Sequence, residues 1–214
     1  MMSRPESGAT DTPAQDAAAA QRRRGDALRR AIFDATLAQL ISVGWTRLTM
    51  EGVAACARTG KAALYRRWSS KLDLIVAALE NSLPSAGDVP DLGSLREDLL
   101  HVLERTRNAM YSPAGCAVRA AMDEIATEHG GKVILKLIHD KVIEPGRWVF
   151  GQVLERGIAR GEVRSGADAE LLADVGPAMM LFRAKIGDGQ IPADYPARVV
   201  DEVLLPMLRP NAPS

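Results

Sequence analysis

The sequence predicts an all-α protein, and three observations carry that expectation. Of the 214 residues, 47% are apolar but only 4% are aromatic, with Ala, Leu and Val plentiful, a composition that favours helix. No sustained alternation of Val, Ile, Thr and aromatic residues marks a strand. Apolar residues recur instead at three- and four-residue spacing, with Ser, Thr or Asp at the starts of the stripes and Gly or Pro at their ends.

Residues 1–24 read as a disordered, basic-ended tail. Met1 to Gln21 is rich in Ala, Ser, Pro, Thr and Asp, with little apolar surface to pack. Arg22, Arg23 and Arg24 then form either a solvated first helical turn or a basic arm reaching DNA phosphates or the minor groove. The first helix is expected from Gly25 to Val43, with Leu28, Ala31, Ile32, Ala35 and Ala38 on one face and Phe33, Leu37 and Ile41 widening it. Gly44 ends it, and Trp45 and Leu48 plug a small core.

The stretch from Leu48 to Leu74 holds two short helices around a tight break. Thr49 caps the first, and Glu51 sets a negative charge at its positive end. Val53, Ala54 and Ala57 give it an apolar face. Arg58-Thr59-Gly60 interrupts the pattern. The second helix runs from Lys61 to about Trp68, with Leu64 and Trp68 on one side and Lys61, Tyr65, Arg66 and Arg67 on the other. Ser70 opens a third helix, with Asp73 at capping-box spacing. Two short helices joined by a turn, the second basic, suit insertion into a DNA major groove. The charge agrees: residues 21–71 hold 11 Lys/Arg against 3 Asp/Glu, whereas residues 72–214 hold 15 against 21, although the whole chain is formally neutral. A basic head on an acidic body points to a polyanionic partner.

Along L-T-M-E-G-V-A at Leu48 to Ala54 and A-A-L-Y-R-R-W-S-S-K-L-D-L at Ala62 to Leu74, the chain resembles the TetR family of bacterial transcriptional repressors. The shared pattern is a Thr-capped helix, a turn, Leu-Tyr-x-x-aromatic and a Ser-Lys helix start. The resemblance covers about Ala27 to Leu79. This chain departs from the pattern at Arg58, where the family usually has Gly, at Gly60, where it often has Ser or Thr, and at Ala63, where it has Thr. The resemblance implies an N-terminal three-helix helix-turn-helix DNA-binding domain, residues 25–70, and a C-terminal helical ligand-sensing and dimerisation domain, residues 71–214.

That body reads as helical throughout. Leu72, Ile75, Val76, Leu79 and Leu83 form a stripe, and Pro84 to Gly93 forms a loop. Ser94 and Glu97 have capping-box spacing before a face of Leu95, Leu99, Val102, Leu103, Thr106 and Met110. Ser112-Pro113 reads as a cap followed by Pro at the first helical position of a helix reaching about Glu128. Lys132 to Arg160 is a long helical segment that Pro145 should kink or break, and Gly161 is its stop. Asp168 caps a helix reaching Ile186 with Pro177 inside it, and Pro196 opens the last helix.

No catalytic constellation stands out. His101, His129 and His139 lie outside any metal-ligand spacing, Cys56 and Cys116 form no CxxC pair, and Asp123-Glu124 lacks a partner set. With no nucleophile motif, P-loop or dinucleotide fingerprint, neither enzyme activity, a cofactor nor a metal is expected. No apolar run reaches membrane-span length and the N-terminus lacks a signal-peptide core, so a cytoplasmic location is expected. A helical protein-binding module without DNA contact stays open; a salt-sensitive shift of duplex DNA separates it from a repressor.

Site expectations follow. Gly60 to Arg67 should enter the major groove, where Lys61 suits guanine O6 and N7 and Ala62 and Ala63 permit close approach to thymine methyls. Thr49, Tyr65, Arg66 and Lys71 should meet phosphates. The resemblance implies a homodimer on a near-palindromic double-stranded operator, built as a four-helix bundle. Leu171, Leu172, Val175, Val199, Val203 and Leu204, on the two apolar terminal helices, are the seam candidates. It also implies release by a small-molecule inducer, and a low polar count favours a hydrophobic or amphipathic one. Met110, Met122, Met179 and Phe182 suit its pocket wall, Trp148 and Gln152 would add a stacking surface and a polar hook, and Arg183 a charge in need of a partner.

Overall fold

In a computed structural model that describes residues 12–83, 87–124, 131–186 and 190–209, the chain is all-α, with no strand among those residues. The helices are α1 (Thr12–Arg47), α2 (Met50–Cys56), α3 (Lys61–Tyr65), α4 (Lys71–Ser82), α5 (Leu95–Tyr111), α6 (Pro113–Glu124), α7 (Gly131–Ile138), α8 (Glu144–Ala159), α9 (Ala169–Ile186), α10 (Tyr195–Val199) and α11 (Leu205–Leu208). Wider π-helical turns, His139–Ile143 and Val200–Leu204, join α7 to α8 and α10 to α11.

The first helix starts earlier than its apolar stripe implied. The expected tail over residues 1–24 lies partly outside the described residues, and from Thr12 onward the backbone is helical. Alanine, the strongest helix former, fills positions 17–20, so backbone propensity alone extends the helix. At the other end Gly44 breaks α1 with φ 75° and ψ 173°, an orientation that glycine adopts without steric cost. The chain then returns Trp45 and Leu48 to the core, where both are buried.

Local side-chain caps set the following helix starts as the sequence indicated. Thr49 Oγ1 accepts from Gly52 N–H at 3.0 Å, Ser70 Oγ from Asp73 N–H at 3.1 Å and Ser94 Oγ from Glu97 N–H at 3.2 Å. Ser112 Oγ accepts from Gly115 N–H at 3.1 Å, and Asp168 Oδ1 from Leu171 N–H at 3.0 Å. Each satisfies a donor the helix leaves orphaned. Gly161, at φ 74°, stops α8: its N–H reaches Ile158 O, and the Glu162 N–H reaches Gly157 O. Pro145 sits in the first turn of α8, directly after a π-helical turn, so the missing N–H falls at the junction.

Two cores form. One unites the head with part of the body: Ile32, Phe33, Leu40, Val53, Leu64, Trp68, Leu74 and Ile75 pack with Ala117, Val118 and Ala121 of α6 and Ile134, Leu137 and Ile138 of α7. The packing therefore crosses the boundary read at residue 70. The buried line of α4 is Leu74, Ile75, Ala78 and Leu79, whereas Leu72, Val76 and Leu83 lie at its margin.

The second core joins α5, α8, α9 and the C-terminal helices. One carboxylate, Asp98, is fully buried at its edge. It is paired with Arg160 Nη2 at 2.9 Å and accepts from Leu92 N–H at 2.8 Å, pinning residues 89–93 to α5 and the end of α8. A buried carboxylate left without these partners would carry a heavy desolvation penalty.

This core takes up part of the expected dimer seam. Leu172, Val199 and Leu204 are 4%, 2% and 0% exposed within the single chain. They complete the body's own core, with Val175 against it, and Val203 is half-buried. Of the six, Leu171 is exposed. Periodicity shows that a helix has an apolar face without showing what covers it.

Two glycines test this packing. A Cβ on Gly115 would stand 2.1 Å from the Ala109 carbonyl oxygen, a backbone atom that cannot yield, whereas one on Gly25 meets nothing within 4 Å. Gly115→Ala should destabilise the fold by about 1–3 kcal/mol through overpacking at the α5–α6 corner, and Gly25→Ala should stabilise it by up to about 1 kcal/mol. Urea unfolding midpoints of the two variants check both signs.

Candidate nucleic-acid interface

The helix-turn-helix is fixed from below by burial. Leu64 is fully buried, Trp68 nearly so, and the Trp68 ring meets the Phe33 ring at a centroid distance of 5.6 Å. With α3 held by that face, its opposite side stands in solvent. Lys61, Ala62, Tyr65 and Arg66 are exposed, as are Arg67 just beyond the helix and Thr49 and Gly60 at the helix starts, while Ala63 is half-buried. Of the predicted contact residues, all are exposed except Ala63 and Lys71, which are half-buried.

Lys71 is half-buried. Its Nζ donates to the Trp45 carbonyl at 2.8 Å and lies 5.4 Å from the centre of the Trp45 ring. It ties the start of α4 to the chain leaving α1, a tertiary role that sequence spacing did not show. An ammonium has three donors, so this bond leaves capacity for a further contact.

The turn between α2 and α3 carries the chain's departure from the usual glycine. Arg58 has φ 52°, the left-handed conformation. Its N–H reaches Ala55 O at 3.1 Å and the next N–H, of Thr59, reaches Ala54 O at 2.9 Å, the bonding pattern of a helix stop that ordinarily uses glycine. An L-residue there costs roughly 1–2 kcal/mol, and in return an exposed guanidinium stands between the two helices.

Lys61 is the most tightly organised side chain of the surface. Its ammonium forms an ion pair with Glu51 of α2 and lies 5.4 Å from the centre of the Tyr65 ring. The hydrogen bond from Lys61 holds the Glu51 carboxyl below the ordinary carboxylate range, and the same bond lifts Lys61 above the ordinary lysine range. Both groups are therefore charged across neutral pH. The sequence marked Glu51 only as a helix-end charge; its pairing spans the turn and is a product of tertiary geometry.

The residues expected to line a ligand pocket do not converge. Trp148 and Phe182 are 52% and 64% exposed and face outward. Met122 packs against the core shared with the head, whereas Met110 and Met179 pack against the body core. Gln152 is half-buried and donates to Glu155 Oε2 at 3.4 Å. Arg183 is exposed and finds its partner within the chain, its guanidinium 5.5 Å from the Tyr195 ring centre. A single helical period does not distinguish a cavity wall from an outer face. Cys56 is exposed and Cys116 half-buried, both with free thiols. Among the described residues no group of three His, Cys, Asp or Glu side chains could hold a metal, and no helix is long and apolar enough to cross a membrane.

Comparison with known proteins places this geometry. Residues 32–78 match the family model for bacterial regulatory proteins of the tetR family, and residues 89–203 match that for the tetracyclin repressor-like C-terminal domain. The chain is 34% identical over 190 residues to a DNA-binding transcriptional repressor TetR of Mycobacteroides abscessus, spanning 88% of this chain and 98% of that one. It is 31% identical over 173 residues to an uncharacterised HTH-type transcriptional regulator of Mycobacterium tuberculosis, spanning 81% and 84%. Its fold agrees with that of Escherichia coli NemR in its reduced form, at TM-score 0.62 and 18% identity over 86% of this chain and 100% of that one. It also agrees with SmeT, solved as a triclosan complex, at TM-score 0.60 and 19% identity over 86% and 93%. With a capped helix-turn-helix at one end, a helical body at the other and family models matched across both, the chain belongs to the TetR family of bacterial DNA-binding transcriptional regulators.

Proposed function

We propose that the chain is a homodimeric, cytoplasmic repressor that reads a near-palindromic duplex through α3 and leaves it when a small hydrophobic or amphipathic molecule binds the body. The observation that carries the DNA-reading part is the exposed face of α3, where Lys61, Tyr65 and Arg66 stand over a buried Leu64 and Trp68. In this reading Gly60 to Arg67 enter the major groove and Lys61 addresses a base edge. Ala62 and Ala63 let the helix approach closely, and Thr49, Tyr65, Arg66 and Lys71 meet phosphates, with Arg58 and Arg67 adding charge.

The repressor role is supported by the Mycobacteroides relative, which is a repressor. Ligand release is supported by the SmeT neighbour, solved with a small molecule bound, and by Met110 and Met179, two adaptable side chains against the same body core. The dimer face is assigned to α8 and α9. These paired helices leave Trp148, Ile158, Leu171, Phe182 and Ile186 exposed, large apolar side chains that an interface would cover. At its edge Arg147 joins the helices through Asp174 at 3.3 Å and Glu170 at 3.1 Å. A second copy seated there sets the two α3 helices about one DNA turn, roughly 34–36 Å, apart.

Two experiments check this reading on duplexes selected from a random pool. Tyr65→Phe should weaken binding to selected and scrambled duplexes alike by about tenfold, the loss of one hydrogen bond to a charged group. Arg66→Ala should reduce the slope of log K against log salt by about 1. Unchanged affinity and slope in both variants would remove these residues from the interface.

The dimer assignment is checked by Phe182→Glu, which should sediment as a monomer at micromolar concentration and lose about 100-fold or more in affinity for the two-half-site duplex, because the second half-site no longer binds as part of one unit. A Phe182→Glu protein that remains dimeric would place the interface elsewhere.

A further inference from the structure

The basic stretch from Leu48 to Leu72 contains five cations, Arg58, Lys61, Arg66, Arg67 and Lys71, and a single acid, Glu51. That acid is exposed, and the structure spends the most organised cation of the surface on it: Lys61 is bound to Glu51 on one side and lies against the Tyr65 ring on the other. For affinity alone the arrangement is counterproductive. The carboxylate cancels a charge that would otherwise attract phosphate, and it is repelled by every phosphate near it.

Its chemistry suits discrimination instead. An ionised carboxylate only accepts hydrogen bonds and an ammonium only donates them. In the major groove, guanine offers acceptors at O6 and N7 while the cytosine paired with it offers a donor at N4. A Lys and a Glu held side by side present the complementary pattern, one donor head and one acceptor head, to the two edges of one G·C pair. Exposed Ala62, next in sequence, has no long side chain to screen the pair from an approaching duplex.

We propose that Glu51 is a specificity-determining residue of this regulator: with Lys61 it reads one G·C pair in each half-site, Glu51 accepting from cytosine N4 while Lys61 donates to guanine. The proposal rests on the reading of α3 as the groove-binding element. Where the base pair is reversed, so that the carboxylate faces guanine O6 or thymine O4, it meets an acceptor instead of an amino group, and those sequences carry a penalty that a purely cationic surface would not impose. Adenine also offers an amino group, but its partner thymine replaces guanine's two acceptors with one and a methyl. The pair thus gives up general affinity for DNA and gains selectivity at one position.

The test is selection from a random duplex pool by the full chain, by Glu51→Gln and by Lys61→Gln, followed by anisotropy titrations at fixed salt. Glutamine keeps the shape of Glu51 but both donates and accepts, so the requirement for cytosine disappears while the exposed site gives no cause for misfolding; equal unfolding midpoints check this. Glu51→Gln should retain the motif at every position except one G·C pair per half-site, bind scrambled duplex more tightly, and lose about tenfold in the ratio of selected to scrambled affinity, within the range a single wrong base pair accounts for. Lys61→Gln should relax the same position. If Glu51→Gln selects an unchanged motif, or tightens all duplexes by one common factor, the carboxylate is only background charge and the proposal is overturned. It is equally overturned if the two variants relax different positions. A wild-type chain that enriches no motif would overturn the reading of α3 itself, a failure distinct from these.

Discussion

The structure depends on a core that the DNA-binding head does not own alone. The head buries Ile32, Leu40, Val53 and Leu64 in one cluster with residues of the body: Ala117, Val118 and Ala121 of α6, and Ile134, Leu137 and Ile138 of α7, with α6 lying against α1 and α4. Two of the α6 residues are fully buried alanines, small enough to let that helix lie close against α1. A head of this size has too little surface to bury by itself. Its stability therefore depends in part on α6, which packs on α1 and α4.

That arrangement gives a route for a signal. A ligand shifts a protein between two states only by binding one of them better. In this chain α6 touches α5, α4 and α1, so any state that moves α6 within the body acts on both helices that carry the head. The other end of the body is held differently. Asp98, buried and paired with Arg160, fixes the start of α5 to the end of α8, and Arg164 reaches the last turn of α11 through its N–H to Leu208 O at 2.8 Å and its Nε to Met207 O at 2.9 Å. One end of α5 is clamped by ions, and the other meets α6 at the close glycine corner of Gly115.

What the sequence disclosed follows the range of each interaction. Caps at Thr49, Ser70, Ser94, Ser112 and Asp168 act within three residues, and all were legible. So were the breaks at Gly44 and Gly161 and the inward Leu64 and Trp68, because backbone sterics and helical period are local. The cover over each apolar face was not legible. Within the single chain, Leu172, Val199 and Leu204, read as seam candidates, are buried, whereas Trp148 and Phe182, read as pocket candidates, are exposed. For the candidate site, the sequence marked the exposed side of α3 but missed the Glu51–Lys61 pair and the Lys71–Trp45 tie, each formed by residues ten or more apart. Arg58 was legible as a departure, and its cost appears in its φ of 52°.

The shared core is tested most directly by comparing unfolding of the head with unfolding of the whole. Of the three tryptophans, Trp45 and Trp68 are buried in the head and Trp148 lies on α8. In a Trp148→Phe protein, fluorescence therefore reports the head, while far-ultraviolet circular dichroism reports every helix. If α6 and α7 complete the head's core, the two signals should follow one urea transition with the same midpoint and slope at a fixed protein concentration. A fluorescence transition completed at lower urea, with most of the helical signal still in place, would show a head that unfolds independently of α6 and would contradict the account.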